Sequence, residues 1–483
     1  MRIGGVALVA LMTASCASVN QELLEAQLPD APAAWSADDS LGAAPTGDWV
    51  AAFNDSTLRG LISEAVEHNN NLLATAANLQ QARAGARITL ANQLPTIGAN
   101  FSASRNAIVT DPTTAAQAGG GAGGGSSRLY INNYSLGGSL SWEIDLWGRL
   151  TDETRASYKD AKAAAADLAG AELSVAARVS QAWFALIEAR QQRELAERDT
   201  EARERNLRVT ERRYERGVSS SLDVRLSRSA LGSSQANLAL RQRLEMEASR
   251  ALEVLLGRYP AAELAAAEAL PSLPPLAGAG APGDILARRP DLIAAEARME
   301  GAGLRSRAAR KQFLPQLTLS SRAGTSGPDF ADLTDPQRLA GNIIGGLFQP
   351  LFQGGRLIAN SKRARAAAEA SLYNYAQTVL VAYQEAENAI AAETLLSVRE
   401  DALRLAYEEA AAAEDLTERR YNSGAATIFN LLDAQTRRIS SESQYIQAQQ
   451  QRVSNRVQLY LAIGGDFLTQ ESLAALSGAG TGE

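Results

Sequence analysis

Two residue types with distinctive chemistry occur once each in the chain, Cys16 and His68. A lone cysteine cannot form a disulfide within the chain, and one Cys with one His cannot supply the clustered ligands of a structural zinc site. The pair is also a poor basis for nucleophilic catalysis. His68 stands beside Asn69-Asn70-Asn71 in a helical pattern, where it reads as a surface residue. The glycine-rich run Gly119 to Gly125 lacks the Gly-Lys-Ser/Thr ending of a phosphate loop and reads as an exposed flexible loop. No enzyme, metal or cofactor is expected. With 47 basic and 54 acidic side chains the formal net charge is −7, which argues against nucleic-acid binding. Hydrophobic residues make up 46% of the chain but aromatic ones only 5%. That balance suits Ala-rich helices packed along narrow seams.

The position of the cysteine says more than its number. Arg2 precedes an apolar stretch, Ile3 to Met12, which is long enough for the core of an export signal and too short to span a bilayer as a helix. It ends in Thr13-Ala14-Ser15-Cys16, which resembles the lipobox of bacterial lipoproteins, with Thr13 where Leu is usual. On that reading residues 1–15 are a signal peptide and Cys16 is the acylated first mature residue. Each buried CH₂ of an acyl chain contributes about 0.8 kcal/mol, so several chains anchor stably where one does not. Ala17 after Cys16, rather than Asp, resembles the sorting pattern for the outer membrane. The alternative is an ordinary secretory signal cut elsewhere. No later stretch has 18 uninterrupted apolar residues, so any further membrane insertion must use β-strands.

The elements that position everything else are written twice. At an offset of 207, Gly148 to Gly257 matches Gly355 to Gly464 without a gap. Thr210-Glu211-Arg212-Arg213-Tyr214 returns as Thr417-Glu418-Arg419-Arg420-Tyr421, and Gly217 as Gly424. Upstream the offset is 220, with Leu94-Pro95 matching Leu314-Pro315. The 13-residue difference is a loop extension in the first copy, within the Gly/Ala/Ser-rich span Thr113 to Ser127.

Each copy predicts a helix, two strands and a long helical hairpin. Asp55 to Asn92 has helical spacing, and its counterpart opens at Pro290-Asp291. The period then changes to two. Leu136, Gly138, Leu140, Trp142, Ile144 and Leu146 share one strand face, opposite Ser135, Gly137, Ser139, Ser141, Glu143 and Asp145. Ile97 to Arg105, Leu317 to Ala323 and Ile343 to Leu351 alternate more weakly. After the second strand Leu168, Val175, Ala182, Ala189 and Ala196 recur every seven residues, as do Tyr375, Ala382, Ala389, Leu396 and Leu403. A continuous helix from Gly148 to Arg216 would reach roughly 100 Å. The chain turns at Gly217 and Gly424 and runs back. Four strands with an apolar face cannot close a barrel alone, since the smallest common barrels use about eight. Two readings stay open: a barrel completed by several subunits, or a small soluble sheet capping a helical bundle.

Trp142-Glu143-Ile144-Asp145-Leu146-Trp147-Gly148-Arg149, Arg288-Arg289-Pro290-Asp291-Leu292, Gln349-Pro350-Leu351-Phe352, Gly354-Gly355-Arg356-Leu357 and the two Arg-Arg-Tyr-x-x-Gly turns resemble those of TolC-like outer-membrane efflux proteins, in their lipoprotein branch serving resistance-nodulation-division pumps. The resemblance covers Cys16 to about Thr469. It implies a mainly α fold with a membrane β-barrel: a homotrimer whose twelve strands close one barrel, continued by a periplasmic α-helical barrel. It implies an outer-membrane exit duct for small toxic compounds, partnered by a periplasmic adaptor and an inner-membrane pump. The organisation expected is 1–15 signal; 16–54 lipidated segment and belt; 55–257 first repeat; 258–283 Pro-rich linker in the belt; 284–464 second repeat; 465–483 tail. Phe429 and Asp433, four apart on one helix face, match the stretch that constricts the channel, with Asn430 where relatives carry a further Asp. Threefold repetition would stack an apolar ring on a carboxylate ring that favours cations; the alternative makes Phe429 core and Asp433 a solvated carboxylate. Tyr421 and Asp223 match positions linked between neighbouring hairpins in the closed state, unless Tyr421 only packs its own hairpin. Gly217, Val218, Gly424 and Ala425 would meet the adaptor. A protein-secretion exit channel shares this architecture, and a lipid-tethered periplasmic scaffold is the reading from another class.

Overall fold

Proline and glycine set the boundaries of the elements. The computed structural model describes residues 32–37, 49–110, 127–274, 278 and 280–465. In chain order it contains α1 (Trp49–Ala52), α2 (Ser56–His68), α3 (Asn70–Ala91), β1 (Thr96–Thr110), β2 (Ser127–Ile144), α4 (Arg149–Glu215) and α5 (Ser221–Leu255). Then follow α6 (Ile285–Arg288), α7 (Pro290–Lys311), β3 (Gln316–Gly327), β4 (Ala340–Phe348), α8 (Arg356–Asn422) and α9 (Ile428–Ala462). The duplication is structural. Helices α4 and α8 have 67 residues each, α5 and α9 have 35 each, and α3 and α7 have 22 each. The glycines that punctuate both copies, Gly148 and Gly355, Gly217 and Gly424, Gly257 and Gly464, all have φ between 72° and 81°. No helix among the described residues is long and apolar enough to cross a membrane.

Two details depart from the periodicity. Asp55 to Asn92 is two helices rather than one. Asn69 interrupts it in an extended conformation, and its side-chain oxygen accepts the N–H groups of Asn71 and Leu72 while its amide donates to Leu255 O. An Asn that can cap the next helix competes with the helical ladder. The strands also exceed the segments that alternate cleanly. β1 and β2 pair from Thr96 and Ser141 to Thr110 and Ser127, because the ladder of backbone hydrogen bonds does not require alternation. β4 stops at Phe348, short of Leu351, as Pro350 approaches.

The described residues form two compact units, each drawing on both repeats. One consists of Gln81–Ala161 and Arg298–Ser371, the other of the remaining residues. The first unit holds one antiparallel sheet in the order β1-β2-β3-β4. Its register puts Ile97, Ala99 and Phe101 of β1 on the same face as Leu140, Gly138 and Leu136 of β2, with Leu317 and Leu319 of β3 and Ile343 and Leu347 of β4 continuing that face. The opposite face carries Asn100, Ser102, Ser135, Ser139, Ser320 and Arg322. Gly137 faces Gly324 there, and a Cβ on Gly137 would lie 2.9 Å from Ala323 O, so β2 and β3 approach more closely than side chains would allow. Among the described residues β1 and β4 have no outer partner.

The second unit holds the main core. Trp49, Phe53, Leu58 and Ile62 pack with Trp183, Phe184, Leu186 and Ile187 of α4, Leu252 of α5 and Leu256 just after it, and Val453, Val457 and Tyr460 of α9. The heptad seam is buried at Leu168, Val175, Ala189 and Ala196, and in the second copy at Tyr375, Ala382 and Ala389. Leu396 and Leu403 are only half-buried. The connection after α5 is tied to the helices: Glu253 accepts the N–H groups of Ala262, Glu263 and Leu264, and Arg190 and Arg456 donate to the carbonyls of Ala266 and Pro274. Burial opposes ionisation of Glu253, but those three donors and Arg258 hold its carboxyl below the usual value. Ser36 and Ala37 donate N–H groups to Glu387, while the Trp35 indole donates to Gly280 O. Cys16, the Gly119 to Gly125 run and the tail from 466 lie outside the described residues.

Candidate functional site

The Trp-Glu-Ile-Asp-Leu-Trp-Gly-Arg motif forms the joint between β2 and α4. The Asp145 carboxylate accepts from Leu150 N at 3.1 Å, Thr151 N at 2.8 Å and the Thr151 hydroxyl at 2.7 Å, capping the first turn of α4. Arg149 binds Glu143 at the strand end at 2.6 Å and Glu153 one turn on at 3.0 Å. The Trp142 indole donates to Gln93 O after α3, and that of Trp147 to Pro315 O after α7. Gln349 donates to Phe313 O. One strand end is thus pinned to the ends of both flanking helices. The motif Arg288-Arg289-Pro290-Asp291 has a comparable task in the other unit, where buried Arg289 binds Asp291, Glu385 and Ala462 O together. Burial disfavours its charge, but the two carboxylates raise its pKa above the ordinary arginine value.

The hairpin turns are built alike. Gly217 and Gly424 adopt φ of 73° and 79°, a region that L side chains rarely enter. The carbonyl of Arg213 accepts from Val218 N and Ser219 N, and that of Arg420 from Ala425 N and Ala426 N. Each return helix then opens with a capping box. Ser220 and Asp223 exchange hydrogen bonds at 2.9 and 3.2 Å, and Thr427 and Asn430 do so at 3.2 and 3.3 Å. Asp223 and Asn430 occupy the same position of the two repeats, and both are helix caps.

Within this chain Tyr421 and Asp223, the residues matched to the closed-state link, each have another partner. The phenol of Tyr421 is buried and bonds to the Thr210 hydroxyl at 3.1 Å. Since Thr210 donates to Asn206 O at 2.8 Å, Tyr421 is the donor to Thr210. Arg213 covers the Tyr421 ring at 4.5 Å and donates to Tyr421 O and Asn422 O at 3.1 to 3.2 Å. Tyr421 therefore joins the second hairpin to the first rather than only packing its own. Tyr421, Ile428 and Leu431 form a small core that Leu226 of α5 completes. Thr210 and Arg213 were not singled out from sequence, although both lie in the repeated Thr-Glu-Arg-Arg-Tyr block.

The residues matched to the constriction lie on α9. Phe429 is 66% exposed, which removes the reading of it as core within this chain. Asp433 is exposed, and its carboxylate meets Arg437, one turn on, at 2.9 Å. The hydrogen bond and charge of Asp433 raise the pKa of Arg437. Arg437 also escaped the sequence reading, though its i, i+4 spacing from Asp433 was visible. Asn430 serves Thr427 and lends no charge. Gly217, Val218, Gly424 and Ala425 are exposed, Val218 at 74%.

The family model described as outer membrane efflux protein matches residues 61–258 and 281–465. The pyoverdine export outer membrane protein OpmQ of Pseudomonas aeruginosa is 30% identical over 421 residues, covering 87% of this chain and 87% of that protein. The outer membrane protein OprJ of the same organism is 29% identical over 458 residues, 92% of this chain and 94% of its own. The solved structure of the outer-membrane channel OprN superposes with a TM-score of 0.81 at 27% identity, covering 91% of this chain and 98% of that one. With both repeats matched by one family model, their joints and turns built on the same motifs, the chain belongs to the outer membrane efflux protein family.

Proposed function

We propose that the protein is the outer-membrane exit channel of a tripartite efflux pump, a passive gated duct through which small toxic compounds leave. The observation that carries this reading is the sheet: one face predominantly apolar, the other predominantly polar, and two edge strands without partners among the described residues. Hydrocarbon offers nothing to unpaired backbone groups, so such a sheet is stable in a bilayer only when closed by other copies. Three copies give twelve strands around a polar lumen, continued in the periplasm by the long hairpins. Lipid on Cys16 anchors the N-terminus to the outer membrane. Relatives named for pyoverdine export support the transport class.

In this reading the turns at Gly217, Val218, Gly424 and Ala425 meet a periplasmic adaptor, which connects the duct to an inner-membrane pump. Phe429 and Asp433 line the constriction. The carboxylate ring is compensated by Arg437, so the constriction favours cations less than bare carboxylates would. The joint of Tyr421, Thr210 and Arg213 holds the two hairpins of one subunit together in the closed state. The chain works without a catalytic group, metal or cofactor.

The test is reconstitution of the purified protein in a planar bilayer, with deletion of its gene in parallel. Ion conductance that rises on replacing Phe429 and Tyr421, together with greater sensitivity of the deletion strain to dyes and detergents, supports the duct. A protein that never conducts, with or without those substitutions, refutes it. Loss of export of a single protein with unchanged drug sensitivity would assign the duct to protein secretion.

A further inference from the structure

The apolar face of the sheet ends, at the hairpin end remote from the helices, in a basic and aromatic edge that membrane insertion alone does not require. The register carries the face along β2 from Trp142 through Leu140, Gly138 and Leu136 to Tyr134, Asn132, Tyr130 and Arg128, opposite Phe101, Ala103, Arg105, Ala107 and Val109 of β1. Arg105 places its guanidinium over the Tyr130 ring at 4.6 Å. Phe330, from the connection between β3 and β4, folds onto the same face and meets Phe101 and Tyr134 edge-on at centroid distances of 6.3 and 5.9 Å. Tyr130 and Phe330 are nonetheless 51% and 67% exposed.

Position along the strand decides what these side chains meet. At about 3.3 Å per residue and a tilt of about 40°, Tyr134 stands roughly 20 Å above Trp142 and Tyr130 roughly 30 Å above it. The apolar band of an outer-membrane barrel is about 25 Å tall and is bounded by aromatic girdles. Trp142 and the Tyr134–Tyr130–Phe330 group fall at its two limits. Arg105 and Arg128 then sit at the outer headgroup level. An arginine is costly at the midplane of the lipid face but not at the interface. A guanidinium there finds phosphate oxygens, which it binds with two parallel N–H groups.

The charges nearby leave both arginines available. Asp332 accepts from Asp329 N and binds Arg338 at 3.1 Å, and Asp335 accepts from Gln337 N and lies 3.7 Å from Arg338. Neither Arg105 nor Arg128 meets a carboxylate among the described residues. The 111–126 connection contributes one acid, Asp111, and no base.

We propose that Arg105 and Arg128, framed by Tyr130, Tyr134 and Phe330, form a docking site for the phosphorylated headgroup of a lipid in the outer leaflet. The site rests on the reading that the sheet spans the outer membrane. The experiment uses the full-length protein in detergent, with lipid A carrying its phosphates, dephosphorylated lipid A and inorganic phosphate as probes, and bound copies counted by native mass spectrometry. Wild type is expected to bind the phosphorylated lipid at least tenfold tighter than the dephosphorylated one, without competition from equimolar inorganic phosphate. The Arg105→Gln/Arg128→Gln variant is expected to lose that preference, and Arg105→Lys/Arg128→Lys to keep part of it. Equal binding by wild type and the Gln variant overturns the site, and full displacement by inorganic phosphate overturns the lipid as its ligand. Bilayer conductance of the same preparations separates the two failures. Wild type that binds lipid but never conducts counts against the duct alone, and variants that conduct normally without lipid preference are folded and report on the site.

Discussion

Replacing Arg213 by Ala is the sharpest probe of the joint between the hairpins. The side chain donates to two carbonyls of the second turn and covers the Tyr421 ring. Charged hydrogen bonds contribute about 1.5 to 3 kcal/mol when shielded, and a cation–π contact about 0.5 to 1 kcal/mol at an exposed site. Arg213 is half-buried, so solvent screening holds its two carbonyl contacts together to the low end of the first range, and with the cation–π contact the sum is about 2 kcal/mol. That corresponds to about a 30-fold shift toward the undocked turn. Tyr421→Phe removes only the bond to Thr210, about 1 kcal/mol or roughly fivefold. The readout is hydrogen exchange at Gly424, Ala425 and Ala426, whose N–H groups bond to Tyr421 O and Arg420 O. Ile463 and Gly465 at the far end of α9, bonded to Leu459 O and Tyr460 O, serve as the reference. Exchange at the turn should accelerate by these factors, with the reference unchanged and Arg213→Lys intermediate, because an ammonium lacks the planar fork. An Arg213→Ala protein that exchanges like wild type, or a Tyr421→Phe effect exceeding it, would refute the reasoning.

Four further outcomes are expected. Arg437→Ala should raise the cation-over-anion permeability ratio of the reconstituted channel and Asp433→Ala should lower it, measured as reversal potentials under a salt gradient; unchanged potentials in both would remove these residues from the conduction path. Glu253 has a depressed pKa in the folded chain, so its contribution is fully present above the unfolded value of about 4.5 and is lost as pH falls through the lower folded value. The melting temperature of Glu253→Gln should therefore lie below wild type at pH 7 and approach it in acid. Arg289→Ala should destabilise by about 2 kcal/mol, below the range for a fully buried pair because its carboxylate partners are half-exposed, and Arg289→Lys should recover little in denaturant titrations. Gly424→Ala should cost about 1 kcal/mol through its positive φ alone, since a Cβ there meets nothing within 4 Å; a larger loss in the same titration would mean that the turn is packed.

Much of the architecture could be read because it depends on local rules. Ser220 three before Asp223 and Thr427 three before Asn430 have the spacing of a capping box, a local signal that was visible but not used, and they close the same turns in the structure. The long helices began and ended where Gly148, Gly217, Gly355 and Gly424 stand. Strand lengths were less legible, since Asn132, Asn133 and Ser127 carry no periodic signal and are held by cross-strand pairing. The break at Asn69 was missed because an Asn is tolerable inside a helix until a carbonyl such as that of Leu255 engages it.

The sequence by itself determined that the chain is duplicated and that each copy has two strands and a helical hairpin. The repeat pattern could not distinguish Tyr214 from Tyr421, which close the same block. In the tertiary structure Tyr214 is 50% exposed and Tyr421 is 5% exposed, beneath Arg213 and against Thr210. Arg105 likewise became the partner of Tyr130 only once side chains were placed. The physical reason is range. Caps, turns and periodicity act over a few residues and repeat wherever the letters repeat. Burial and pairing depend on what the other repeat presents across the interface, and identical motifs there meet different neighbours.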